Sequence, residues 1–183
     1  MSTFTGFTWE HYQSLFSDSR LISIVVQTFV LAFLSALLAT IIGTFGAMGI
    51  DYTRKRNSRN VLLGLNNILM VSPDVIIGAS FLILFTMLGG VLKNFQLGFV
   101  SVLLSHIAFS IPIVVLMVLP KLKEMNDSMI DAARDLGANN FQVLSNIILP
   151  FLTPGIIAGY FMAFTYSLDD FAVTFFVTGN GFT

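Results

Sequence analysis

The chain has 183 residues, of which 55% are hydrophobic and only 10% charged, with a net charge of −1 and no cysteine. Soluble domains carry roughly 25% charged residues, so this surface could not stay dissolved, and a mean hydropathy of +0.85 marks a membrane protein. The small net charge offers no footprint for nucleic acid, and the lack of Cys excludes disulfides and thiolate metal sites while leaving the compartment open.

The first 20 residues, with Trp9, His11 and Tyr12, have neither a basic n-region nor an apolar h-region and do not read as a signal peptide. Four stretches then reach the roughly 20 apolar residues that a membrane helix needs. The first, Leu21 to Ile50, contains no Asp, Glu, Lys or Arg. In it Ser35, Ala39, Gly43 and Ala47 recur every four residues, a small-residue stripe that lets another helix approach closely. The stripe serves either a subunit interface or packing within the chain. Gly46 and Gly49 are expected to loosen the helix where it leaves the bilayer.

The loop "DYTRKRNSRN" (51–60) follows, and then a second span from Val61 to Leu92, interrupted only by Asp74. Ser72 is expected to cap, Pro73 to take the first helical position and Asp74 to complement the helix dipole, so that the span becomes two half-helices with a break. Such breaks recur at transport sites. The third span, about Leu97 to Leu119, holds His106, which reads as a hydrogen-bonded packing residue more readily than a gate, and Pro112, which is expected to bend the helix. The fourth runs from about Phe151 to Val177 and is interrupted by Asp169 and Asp170.

Basic residues set the orientation. Arg54, Lys55, Arg56 and Arg59 lie in one loop and Lys121, Lys123 and Arg134 in another, against Arg20 and Lys93 on the opposite side. Seven against two places both loops in the cytoplasm. Both ends then lie outside the cell, and "TGNGFT" closes nothing, so one further span is expected at each end.

The one extended polar element is "DAARDLGANNFQVLSNIILP" (131–150). Ser128 stands three residues before Asp131, the spacing of a capping box, so a short helix is expected from near Met129. Gly137 is placed to end it in the left-handed conformation. Asn139 and Gln142 open a second helix whose apolar face is Phe141, Leu144, Ile147 and Ile148, and Pro150 marks the entry into the fourth span. A helix of about two turns is unstable alone in water, so it needs a surface to dock on. An ordinary amphipathic connector is the plainer alternative.

Asp131-Ala132-Ala133, then Gly137, Ile147, Leu149 and Pro150 at their spacing, resemble the Glu-Ala-Ala loop of ABC importer permeases, with Asp in place of Glu at 131. "VSPDVI" (71–76), "AARDLGA" (132–138), "IILP" (147–150) and "SLDDFAVTFFVTG" (167–179) are similar to the permeases of spermidine/putrescine importers, the second of the two related subunits in particular. The resemblance implies an all-α, polytopic membrane helix bundle of the type I importer permease kind. Residues 1–183 would be a single, incomplete transmembrane permease domain in the cell membrane, and 120–150 its cytoplasmic coupling loop. It implies a multi-pass subunit that is not itself an enzyme. The implied partners are ABC ATPase subunits, which bind the ATP and Mg, a second homologous permease and an external substrate-binding protein. No metal-ligand cluster, P-loop or Ser/His/Asp set is present in the sequence, so no cofactor is expected on this chain.

An Asp at mid-bilayer costs about 2.5–3.5 kcal/mol on insertion scales, so such residues face a cavity or a partner. Asp169 and Asp170 lie about 28–30 Å along a helix from Pro150, towards the outer part of the membrane. Adjacent helical positions point about 100° apart. One of the two is therefore expected to line the pathway while the other pairs with a neighbouring helix, the backbone or an unwound segment. For a polyamine, a lining of Asp74, Asp169 or Asp170 is suitable, and Tyr160, Tyr166 and Phe171 could add cation–π contacts of about 0.5–2 kcal/mol. Importers of a ferric ion or an aminophosphonate are the alternatives within the class. An ion-coupled carrier or channel, or a non-transporting assembly subunit, are the alternatives outside it.

Overall fold

The computed structural model describes Trp9, residues 16–91 and residues 96–179, and every regular element among them is a helix. Residues 1–8, 10–15, 92–95 and 180–183, which include His11, Tyr12, Lys93 and the end of the last turn, lie outside the described residues.

Helix α1 spans Ser19–Tyr52, two residues longer at each end than the apolar run. Asp18 starts it by accepting from the backbone N–H groups of Arg20 and Leu21 at 2.9 and 3.4 Å. Gly46 and Gly49 do not break it. At 1.5 Å per residue it is about 51 Å long, well beyond a hydrocarbon core of about 30 Å.

The expected second span is two helices, α2 (Arg56–Val71) and α3 (Asp74–Val91), separated at Ser72-Pro73. Pro73 has no N–H to continue the ladder of α2, and it drives Ser72 into the extended region, ψ 137°. The capping expected here is reassigned. The Ser72 hydroxyl donates back to the Ile68 carbonyl at 2.7 Å, so it finishes α2 instead of starting α3. The Pro73 carbonyl accepts from Ile76 and Ile77, and Asp74 is the first residue of α3. No residue of α2 is buried, and only α3 is long and apolar enough on its own to cross a membrane.

Helix α4 (Phe99–Glu124) is the most buried of the spans and carries Pro112 and Pro120 without interruption. Next come α5 (Asp127–Asp135), α6 (Asn140–Val143), a π turn (Leu144–Ile148) and α7 (Leu149–Asp169), the last three forming one continuous rod. The π turn sits where Pro150 withholds the N–H that would bond to the Asn146 carbonyl in an α ladder. The chain then breaks at Asp170-Phe171 before α8 (Ala172–Val177).

Helices α1, α4 and α7 pack around Ala36, Ala39, Ala47, Val114, Val118, Leu152 and Ala163. Ser35, Ala39, Gly43 and Ala47 are all buried, and a Cβ on Gly43 would lie 2.7 Å from the Val114 Cβ. The small-residue stripe is thus consumed within the chain, settling the two alternatives in favour of packing. Gly43 against Val114, and Gly155 and Gly159 against Lys121 and Val114, make α1 parallel and α7 antiparallel to α4. The 54–59 and 121–134 basic groups therefore lie at one end of the bundle, as the charge count requires. A second cluster joins α3 and α8 to the outer half of α4 through Ile77, Phe85, Val102, Phe109, Val173 and Val177. Outward faces keep Phe29, Ile41, Phe45, Ile83 and Phe161 exposed, which suits helices whose solvent is lipid and whose backbone is satisfied internally.

Candidate functional site

Two places gather the residues that the sequence singles out. The first is the polar element at the basic end. Helix α5 begins not at Ser128 but at Asn126, whose side chain accepts from the Ser128 N–H at 3.0 Å. It ends in a paired cap: Gly137 (φ +85°) donates to the Arg134 carbonyl at 2.9 Å and Ala138 to the Ala133 carbonyl at 3.0 Å. Asn139 and Gln142 then exchange side-chain and backbone bonds at 2.8 and 2.9 Å, the reciprocal box expected from the sequence.

The result is a rigid corner with a groove of about 310 Å³ lined by Ala133, Leu136, Gly137, Gln142, Asn146 and Ile147. Asp131 and Ala132 stand exposed beside it, and Leu149 and Pro150 begin α7 behind it. Leu136 is 89% exposed and Phe141 75% exposed. Of the apolar face Phe141, Leu144, Ile147 and Ile148, the last three are half-buried and Phe141 is exposed, while Val143 takes the buried position.

The second place is a polar knot within the membrane half of the bundle. His106 on α4 is 1% exposed. Its Nδ1 lies 2.6 Å from Ser167 Oγ on α7, and its Nε2 lies 2.9 Å from Thr174 Oγ1 on α8 and 3.4 Å from Asp170 Oδ2. Ser167 Oγ continues to Ser35 Oγ on α1 at 3.0 Å. Asp170 also accepts from the backbone N–H groups of Val173 (3.2 Å) and Thr174 (2.9 Å) and from the Thr174 hydroxyl (2.9 Å). It caps α8 at the break. Of the adjacent pair, Asp170 is thus the one that pairs with a helix and the backbone, whereas Asp169 is exposed and, among the described residues, has no side-chain hydrogen bond.

Asp74 is joined to this region from α3. Tyr166 Oη donates to Asp74 Oδ1 at 3.0 Å, and the Tyr166 ring stands edge-on to Phe109 with centroids 5.1 Å apart. Phe109 in turn lies 4.8 Å from the His106 ring. Tyr166 and Asp169, three residues apart on α7, share a face. Asp74 and Tyr166 are thus brought together, Asp169 is exposed one turn further along α7, and the Asp170 side chain is buried against His106. Tyr160 and Phe171 are not part of this group: Tyr160 packs on Phe33 and Phe164, and Phe171 on Phe175. The participation of Ser35, Ser167 and Thr174 had no signature in the sequence, because each is a common small polar residue of membrane helices until its distant partner is known.

Residues 39–183 match the family described as binding-protein-dependent transport system inner membrane component. The chain is 37% identical over 174 residues to the spermidine/putrescine transport system permease protein of Haemophilus influenzae, covering 95% of this chain and 65% of that protein. It is 38% identical over 177 residues to the protein of the same name from Escherichia coli K12, covering 97% and 65%, and 32% identical over 184 residues to that organism's putrescine transport system permease protein, covering 100% and 66%. The chain thus spans about 65% of the length of these relatives. A chain of the inward-facing MetNI methionine ABC transporter shares the fold, with a TM-score of 0.70, 20% identity, and coverage of 88% of this chain and 76% of that one. With four helices able to cross a membrane and the family match over residues 39–183, the chain belongs to the inner-membrane components of binding-protein-dependent transport systems.

Proposed function

We propose that this chain is a transmembrane subunit of an ATP-driven importer of polyamines, the spermidine/putrescine class. The observation that carries the cargo is the pairing of Asp74, at the α2–α3 break, with Tyr166 of α7 at 3.0 Å, with exposed Asp169 three residues further along that helix. A polyamine is a flexible chain with several ammonium groups. Carboxylates on two different helices, one of them paired with a tyrosine, would offer it charge at two points and a π face beside one of them. The relatives' printed cargo is spermidine and putrescine or putrescine alone, which supports the same class.

In this reading residues 1–183 act as one permease unit and the 120–150 loop couples it to a partner ATPase, which binds the ATP and Mg. Asp131, Ala132, Ala133 and Gly137 form the docking corner, and Ile147, Leu149 and Pro150 join it to α7. Exposed Leu136 and Phe141 beside the groove support a protein partner there, since large apolar side chains are depleted from free aqueous surfaces. A second permease subunit and an external binding protein complete the assembly. Nucleotide-driven movement of α5 would be passed through the capped Gly137 turn to α7, which carries Tyr166 and Asp169 at its far end.

The test is spermidine uptake by the full-length protein in its assembled complex, in vesicles, with Asp74→Asn and Asp169→Asn. A charge-assisted contact is worth about 1.5–3 kcal/mol, so each substitution is expected to raise the KM for spermidine about tenfold or more with ATP hydrolysis retained. An unchanged KM in both variants would contradict the proposed lining.

A further inference from the structure

The knot around His106 can be read by counting protons. The Thr174 hydroxyl has one proton and gives it to Asp170 Oδ2 at 2.9 Å. It can only accept from His106, so Nε2 carries a hydrogen. The Ser35 hydroxyl donates to the Ala32 carbonyl at 3.1 Å, so the 3.0 Å contact between Ser35 and Ser167 uses the Ser167 proton. Ser167 is then left to accept at its 2.6 Å contact with Nδ1, which also carries a hydrogen. With the Ser35–Ala32 bond kept, both ring nitrogens donate and His106 is the imidazolium; a neutral ring would keep the other contacts and give up that bond.

The charge inventory agrees. Nothing between Arg59 and Lys93, between Lys93 and Lys121, or after Arg134 is Lys or Arg. Among the elements packed around the knot, α1 offers Ser35, α3 offers Asp74 by way of Tyr166, α7 offers Tyr166 and Ser167, and α8 offers Thr174. Among the described residues, Asp170, with its side chain only 6% exposed, has His106 as its one cationic neighbour, at 3.4 Å.

We propose that His106 is a positioning residue: as the imidazolium it is the counter-charge of Asp170, and the pair pins the α7–α8 break to α4, holding Asp170 away from the cargo and leaving Asp169 to face it. The pair itself stands apart from the polyamine reading; only the last clause rests on it. The consequence is an unusual sequence rule. Two adjacent carboxylates, chemically identical, have different tasks because a single histidine on another helix claims one of them.

Removing one member of a buried ion pair strands the other, whereas removing both does not. The test is a double-mutant cycle in the full-length permease, with His106→Gln, Asp170→Asn and the two together; Gln and Asn keep hydrogen-bonding capacity and approximate volume, and Asn still caps a helix. Melting of the purified protein in detergent is expected to fall in each single variant and to recover most of the loss in the double variant. Additive losses would overturn the pair. Uptake by the reconstituted complex supplies a second readout. Asp170→Asn is expected to lower the maximal rate with the spermidine KM unchanged, while Asp169→Asn raises KM. A raised KM in Asp170→Asn would place that carboxylate on the cargo and overturn its assignment. Coupled melting together with an unaffected KM in Asp169→Asn would support the pair and overturn the pathway reading alone.

Discussion

Gly43 and Gly49 lie on the same helix and have opposite surroundings. A Cβ at Gly43 would meet the Val114 Cβ at 2.7 Å and the Ile111 carbonyl at 3.2 Å, whereas nothing lies within 4 Å of one at Gly49. Overpacking at a helix crossing costs about 1–3 kcal/mol, while removing an exposed helical glycine gains up to about 1 kcal/mol. Gly43→Ala should therefore lower the melting temperature of the purified permease and Gly49→Ala should hold or raise it. Equal melting of the two variants would mean that α1 and α4 do not approach as closely as described. The periodicity of the stripe was legible in the sequence; which helix fills it was not, because small residues record that a neighbour is close without recording its identity. The carboxylates behaved similarly. Hydropathy marks Asp74, Asp169 and Asp170 as anomalous, but the division of labour between the last two depends on His106, Ser167 and Thr174, which only the folded chain assembles.

At the scale of elements, what could be read were features written in contiguous residues. The Gly137 turn and the Asn139–Gln142 box are local, and both are found as expected. The start of α5 was misassigned because Asn126 and Ser128 are both competent caps, and the choice between them is fixed by where α4 ends, at Glu124. The π turn has no signature in the sequence, since it changes no residue type, only the register. Gly137 tests the element most directly. At φ +85° a β-branched residue is strained by about 1–2 kcal/mol or more, and the adjoining groove is built on that turn. Gly137→Val is expected to leave membrane insertion and the α1–α4–α7 core intact while severing ATP hydrolysis from uptake. If hydrolysis and uptake both stay at wild-type rates, the corner is not the coupling element.

Taken as a whole, the molecule separates its two chemistries along one axis. The basic loops, α5 and its groove lie at one end, and the polar knot with Asp74, Tyr166 and Asp169 lies beyond the middle of the bundle, with α7 running between them. The three-helix core of α1, α4 and α7 is tightly interleaved through small residues. The break at Asp170 is where α7 ends and where α8 turns to pack against α3. Membership of the transport family was readable because its motif occupies one loop and the spans announce themselves by length. The pairing of Asp74 with Tyr166 was not, because they lie on α3 and α7 and meet only after the second span has broken at Pro73.

The central claim is that this chain imports polyamines with energy from a partner ATPase, and one measurement addresses it directly. The full-length protein, assembled with its ATPase and companion permease in vesicles and supplied with its external binding protein, is given labelled spermidine with and without ATP on the ATPase side. The account predicts accumulation of spermidine only when ATP is present. Accumulation without ATP, or an assembled complex that hydrolyses ATP and takes up no spermidine, would contradict it.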